Sequence, residues 1–387
     1  MSAYRTLTSS LAVAALTAIS ANAQVSIPSV VVTVENAQPN RGVFLTPPWI
    51  GIHDGTFDTY DGGQPASVPL GGNEIEALAE DGNNAPLTAT FAALLPNAPQ
   101  REGVAGPTGP LGPGQRASVT LNVDPTVDRY FSYASMVIPS NDFFIANGNP
   151  LAHQLFDMNG NFVGSDFLVS GDETNDAGTE VNDEIASNVA FLAQAAPNTG
   201  VSESNPVMTP APGFADAGTL SYPDGILNYP VFGNSDFNDA EDRLFGVRFR
   251  YVDLGGLNSF NALLDTTQEI LPDVVSTVAM GQAQLLTMDG QFGGILATTM
   301  GLSGSITAAH LHLGQAGSNG PVIFDLTNSV LGGVAVRSAL DASGLTGPLA
   351  GGTFLDLVNE LAAGNVYLNI HTAAYPDGEV RGQLKLQ

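Results

Sequence analysis

Short runs of β-branched and aromatic residues, broken every few positions by glycine, proline, asparagine or aspartate, constrain this chain more than any other feature. VVVTVENA from Val30, ASVTLNV from Ala117, RYFSYASMVI from Arg129 and RLFGVRFRYV from Arg243 are such runs. Each has the length and residue types of a strand, and 44 glycines and 25 prolines are available for the turns between them. A helical period surfaces only in short windows, residues 73–79 and 353–363. The pattern predicts an all-β chain, and 387 residues exceed what one core ordinarily holds, so two β-sandwich domains are expected. GVAGPTGPLGPG, residues 103–114, contains four glycine-led triplets, too few for a triple helix, and reads as a long surface loop.

The first 23 residues carry Arg5, a short apolar stretch and an A-x-A ending, the pattern of a secretory signal peptide cleaved near Ala23. No later window is apolar over the roughly 20 residues a bilayer span needs. The expected product is secreted or periplasmic and has no transmembrane segment. It lacks cysteine, so thiol chemistry and disulfides are excluded, and stability must come from packing or bound ions. Thirty-eight acidic against eleven basic residues give a net charge of −27, which repels nucleic acid and anionic lipid and suits a medium rich in divalent cations. One strand pattern ends and another begins near residues 253–257, which predicts domains over 25–252 and 257–387. The first of these holds most of the acidic residues.

In AAHLHLGQAGSNGPV, residues 308–322, strand alternation turns His310 and His312 to one face and Ala309, Leu311 and Leu313 to the other. NVYLNIHT, residues 365–372, alternates likewise, with Tyr367, Asn369 and His371 forming the polar row. YPDGE then supplies a turn, and EVRGQLKLQ alternates again to close a hairpin. These segments, together with TTQEILPDVVS at residues 266–276, resemble the CHRD domain from about Leu257 to the end. The resemblance implies an immunoglobulin-like or superoxide-dismutase-like sandwich and no settled activity. His310, His312 and His371 offer three nitrogens to zinc or copper, with Asp377 or Glu379 as a fourth ligand. The alternative is structural: the imidazoles hydrogen-bond to neighbouring strands and hold the NGPV and YPDG turns.

Residues 32–67, EIEALAEDGNNAPL from Glu74, SMVIPSNDFFIANGNP from Ser135 and DETNDAGTEVNDE from Asp172 resemble spondin N-terminal domains. That resemblance implies a sandwich of the calcium-binding type, with Asp142, Asp176 and Glu180 at the matching acidic positions and Asp172 and Asp183 nearby. Independently, six carboxylates fall within residues 172–184, and calcium takes six to eight hard oxygens from such loops. The competing reading is a solvated acidic loop. NSDFNDAED, from Asn234, reads as plain surface, and His53 as a loop residue tied to the fold.

No zinc-protease helix, nucleophile elbow or phosphate loop occurs. The expectation is therefore a secreted, non-enzymatic adhesion or matrix-type protein whose calcium-ordered loops meet an extracellular protein, polysaccharide or envelope component. The alternative is a periplasmic or extracellular metalloprotein using the three histidines, of which a dismutase-like site would be the enzymatic form.

Overall fold

A computed structural model describes residues 25–387 except 108, 205, 217 and 271–274; the proposed signal peptide, and part of the 266–276 motif, lie outside the described residues. The chain is mostly strand and forms three antiparallel sheets, an all-β sandwich-like architecture. In the first sheet Pro28–Asn36 lies between Arg116–Asn122 and Arg243–Asp253, and Phe167–Ser170 completes the edge. The second is built around Tyr130–Ile138, flanked by Trp49–His53 and Phe143–Ala146, with Asn175–Asp176 next to the latter.

Alternation decides how these sheets stack. Val30, Val32 and Val34 face the second sheet and meet Ile50, Ile52, Phe131, Val137 and Ile145 in one core. Val31, pointing the opposite way, joins the core of the C-terminal sheet. The central strand of the first sheet is therefore covered on both sides, which is why it reads as an almost unbroken valine run.

The other face of the second sheet is covered by helices Glu74–Asp81 and Ala85–Leu94, which pack Ile75, Leu78, Leu87 and Phe91 around Trp49 and Phe144. The first helix matches the periodic window within two residues. The second was not legible as a helix, because it buries only Leu87 and Phe91 and shows no clear apolar stripe. Its proline in the first turn is a helix-start signal, the one local cue available.

Two expected surface segments reach inward. Val104 and Leu111, within the glycine-led loop, are buried, and Leu111 exchanges backbone hydrogen bonds with Leu45. Phe237, within NSDFNDAED, is fully buried against Phe143 and Phe214.

The third sheet contains every strand from Leu257 onward and curls as a half-barrel. Its order runs Val322–Asp325, Ile306–Leu313, Val366–Thr372, Val380–Gln383, Leu257–Asp265, Met280–Met288, Phe292–Met300, Ala335–Asp341 and Val330–Leu331. Helix Phe354–Ala363 plugs the core with Phe354, Leu357, Val358 and Leu361. Thr353 and Asp356 form its capping box, and Gly364 ends it in the left-handed conformation. The outer side of the same helix touches the first sheet: Asn359 and Asn122 exchange two side-chain hydrogen bonds of 3.0 and 3.1 Å, and Thr120 donates to the Asn359 carbonyl at 2.8 Å. Among the described residues no helix is long and apolar enough to cross a membrane.

Candidate functional site

Strands Ile306–Leu313 and Val366–Thr372 are neighbours, with His310 opposite Asn369 and His312 opposite Tyr367. Unbroken pairing from Ala308 to Leu313 puts His371 opposite Ala308, so the imidazoles of His310 and His371 meet on one face; a bulge follows only beyond it, between Ile306 and Ala308. One ligand nitrogen from each of His310, His312 and His371 lies within 4.8 Å of the others, the converging group of potential side-chain ligands among the described residues. The polar row expected of Val366–Thr372 is buried, not solvated: His371 is 7% exposed.

Each ring is oriented by an oxygen. His312 Nδ1 lies 2.8 Å from the Gly320 carbonyl and His371 Nδ1 lies 2.9 Å from the Pro376 carbonyl. A carbonyl only accepts, so both Nδ1 atoms carry the proton and both Nε2 atoms keep a lone pair. His312 Nε2 is buried and has no hydrogen-bond partner. His371 Nε2 stands 3.1 Å from His310 Nδ1, while His310 Nε2 stands 3.7 Å from Asp325 Oδ1. Because His371 Nε2 can only accept, His310 Nδ1 carries the proton and donates to it, and a metal ion at this point would displace that proton to His310 Nε2, on the side of Asp325.

A glycine-rich loop and a buried arginine hold this geometry. Arg381, 2% exposed, donates to the carbonyls of Ser318 at 2.7 Å and Gln315 at 3.4 Å and to Asn319 Oδ1 at 3.1 Å. Its guanidinium lies over the Tyr367 ring, 3.4 Å from the centroid, and Tyr367 stacks in turn on His312. Gly320, whose carbonyl fixes His312, leaves no room for a side chain: a Cβ there would sit 1.6 Å from the Leu313 carbonyl oxygen.

Burial lowers the proton affinity of all three imidazoles. For His310 the nearby His312 adds to this and Asp325 opposes it; for His312 the Gly320 hydrogen bond opposes it; for His371 the neighbouring His310 adds to it. They are neutral at neutral pH, the form that ligates metal.

Of the expected fourth ligands, Glu379 is committed elsewhere: it is fully buried and accepts from the Ser303 backbone and hydroxyl and from Thr372. Asp377 stands in the turn after His371, close enough for its charge to act on that ring. The carboxylate beside the triad is Asp325, brought there by strand pairing with His310. Nothing local in the sequence marks it.

The N-terminal acidic residues form a different arrangement. Asp142 is fully buried, and its Oδ2 accepts from the Thr179 backbone at 2.8 Å, the Thr179 hydroxyl at 3.2 Å and the Glu180 backbone at 3.0 Å. Its Oδ1 has no partner. Asp176 accepts from the Gly178 backbone at 2.7 Å and from Asn182 at 2.6 Å. Glu180 accepts from the Gly200 backbone at 2.8 Å through Oε1, and its Oε2 is buried without a partner.

Burial pushes the Asp142 carboxyl up to about 7, with the Asp176 charge adding to the effect, and raises Asp176 and Glu180 as well. Glu80, at the end of helix Glu74–Asp81, is 3% exposed and is pushed up to about 8 by burial and then by the charges of Glu180, Glu76 and Asp142. It joins the cluster from a distant segment that the sequence reading did not single out. None of the ion pairs among the described residues reaches these four carboxyls.

Asp172 and Asp183 serve local turns, accepting from Ser170 and from Ile185 and Asn188. His53 ends strand Trp49–His53 and is tied to Ser132 and the Gly55 backbone, a structural role.

A half-barrel sheet presenting one buried and two partly exposed imidazoles, drawn together from two neighbouring strands, marks the C-terminal part of the chain. Residues 260–384 match the CHRD domain family. No curated protein and no solved structure matches the chain.

Proposed function

We propose that this is an exported metal-binding protein that holds one zinc or copper ion through His310 Nδ1, His312 Nε2 and His371 Nε2. The observation that carries the reading is the unpartnered, buried Nε2 of His312, in a ring whose other nitrogen is already committed to a carbonyl. Leaving a buried polar atom unpaired costs about 1–3 kcal/mol, and a metal ion removes that cost. The oxygens behind each ring are the outer-shell partners that ligating histidines ordinarily have. Tetrahedral zinc at about 2.0–2.1 Å from each nitrogen needs N···N separations of about 3.3 Å, so small side-chain rotations suffice to close the triad. His310 and His312 are partly exposed, so water or a small ligand would complete the coordination if metal were bound. The role is binding, not catalysis.

Purified mature protein, stripped and then loaded with zinc or copper, is expected to retain one equivalent after desalting. A His310→Ala/His312→Ala variant with an unchanged melting curve is expected to retain none. Equal retention by both proteins, or none by either, overturns the reading.

A second reading rests on its own observation, the partnerless oxygens of Asp142 and Glu180 within an acidic cluster that no ion pair among the described residues reaches. Here the spondin-like N-terminal part, residues 25–252, binds calcium through Asp142, Asp176 and Glu180. The ordered loops then serve adhesion to an extracellular or envelope partner. Calcium is expected to raise the melting temperature and Asp176→Asn to weaken that rise; identical curves with calcium and with chelator contradict it.

A further inference from the structure

The outward face of the half-barrel carries a groove of about 1450 Å³ that neither proposed metal site uses. It runs across strands Leu257–Asp265, Met280–Met288, Phe292–Met300 and Ala335–Asp341. Their register aligns one row of residues from edge to edge: Lys385 pairs with Asn261, Asn261 with Gln284, Gln284 with Leu296 and Leu296 with Arg337. Five residues, with four strand spacings of about 4.8 Å between them, span about 19 Å. A cation stands at each end of the row.

This placement is unusual in a chain of net charge −27. From Gly255 to Gln387 there are three basic residues, Arg337, Arg381 and Lys385, and the groove holds two of them. Neither Arg337 nor Lys385 takes part in an ion pair among the described residues. The carboxylate that lines the groove, Asp265, is already engaged by Thr267 and Gln268. Beside this row, the exposed Gln282 amide makes no hydrogen bond among the described residues and lies opposite the exposed Leu263; exposed Leu296 stands in the row itself, and exposed Phe292 lies four residues further along the Leu296 strand.

We infer that this groove binds an extended acidic polysaccharide of the polyuronate type. Separated cations suit a polymer that carries a carboxylate on successive units better than a ligand with one charged end, and arginine pairs with carboxylates through two parallel hydrogen bonds. The free Gln282 amide matches sugar hydroxyls as both donor and acceptor, and the exposed leucines and Phe292 meet the C–H faces of the rings. The groove lies open on a sheet face, so a chain lies across it without threading. Two cations and a single phenyl ring are too few for a nucleic acid, whose affinity grows with the number of phosphates neutralised and of bases stacked.

The test is affinity electrophoresis and calorimetry of the mature protein with polygalacturonate at low salt, with EDTA present so that neither metal site contributes. The proposal expects retardation by polygalacturonate, none by neutral dextran, and binding at least tenfold weaker in an Arg337→Gln/Lys385→Gln variant whose melting curve is unchanged. The exposed Gln282→Ala variant weakens binding without altering its salt dependence. Absence of polygalacturonate binding overturns the proposal, as does equal binding by the double variant. Tighter binding of palmitate or single-stranded DNA at the same residues, or a dimer in sedimentation that the double variant abolishes, replaces the polysaccharide with another occupant.

Discussion

The imidazole triad of the C-terminal sheet and the carboxyl cluster of the N-terminal part differ in what burial does to them. In both places titratable groups leave water, and in both their proton affinities move toward the neutral form. A neutral imidazole retains a lone pair and is ready to ligate, whereas a neutral carboxyl has lost the charge that attracts a cation. Around the histidines, carbonyls fix the tautomers of His312 and His371, and His310 donates to His371. Around Asp142, backbone N–H groups favour the charged form but leave one oxygen of the carboxylate without a partner. On the proposed reading, carbonyls hold two of the three imidazoles in the ligating tautomer before metal arrives, whereas the carboxyl cluster is stable without a cation only while it holds protons.

Removing two ligands, as in His310→Ala/His312→Ala, has the largest expected effect, complete loss of the transition metal in elemental analysis, with calcium binding intact. Loss of both together would break the comparison, because it would mean the regions are one cooperative site.

Calcium is next. At a hundredfold excess over Kd it adds about 2.7 kcal/mol, a rise of several degrees in Tm, seen in melts with and without EGTA. Asp142→Asn is expected to raise the Tm of calcium-free protein at pH 8 and to abolish the calcium response. A destabilised variant that still responds to calcium would contradict the account.

The two regions also respond oppositely to pH. The lowered imidazoles take up protons more readily when unfolded, so their contribution is intact above the ordinary imidazole value of about 6.5 and is lost as pH falls below it. His53 and His153, each lowered to about 4 by burial, act in the same direction. The raised carboxyls contribute below the usual carboxylate range and lose that contribution as pH climbs through about 7 for Asp142 and about 8 for Glu80. Denaturant melts across pH 4 to 9 are expected to show an alkaline decline that calcium removes and an acid decline that it does not. A single decline abolished by calcium at both ends would show the regions to be alike.

The smallest expected effect is that of Asp325→Asn, about a tenfold loss in zinc affinity, the size typical of an outer-shell partner. A loss of several orders of magnitude would make Asp325 the fourth ligand and sharpen the description of the site.

What the sequence revealed follows from local periodicity. Alternation by two put His310 and His312 on one face and His371 in a polar row, and the acidic run around Asp176 was visible in composition. Register was not visible. Pairing of residues 308–313 with residues 366–371 sets His371 beside His310, and pairing with Val322–Asp325 delivers Asp325. Glu80 reaches Asp142 because a helix packs on the strand that precedes Asp142, a tertiary contact without sequence signature. An imidazole tied to the NGPV turn was among the sequence readings, but not that Gly320 is where the backbone must pass close enough to orient His312.

The central claim is that His312 and His371 are held as Nδ1–H tautomers with their Nε2 lone pairs turned to a common point. Long-range ¹⁵N–¹H correlation spectra of the metal-free protein read this directly. The account predicts protonated Nδ1 and bare Nε2 in both rings, with the Nε2 resonances moving on stoichiometric zinc. Protonated Nε2 in either ring, or resonances that zinc leaves in place, would contradict it.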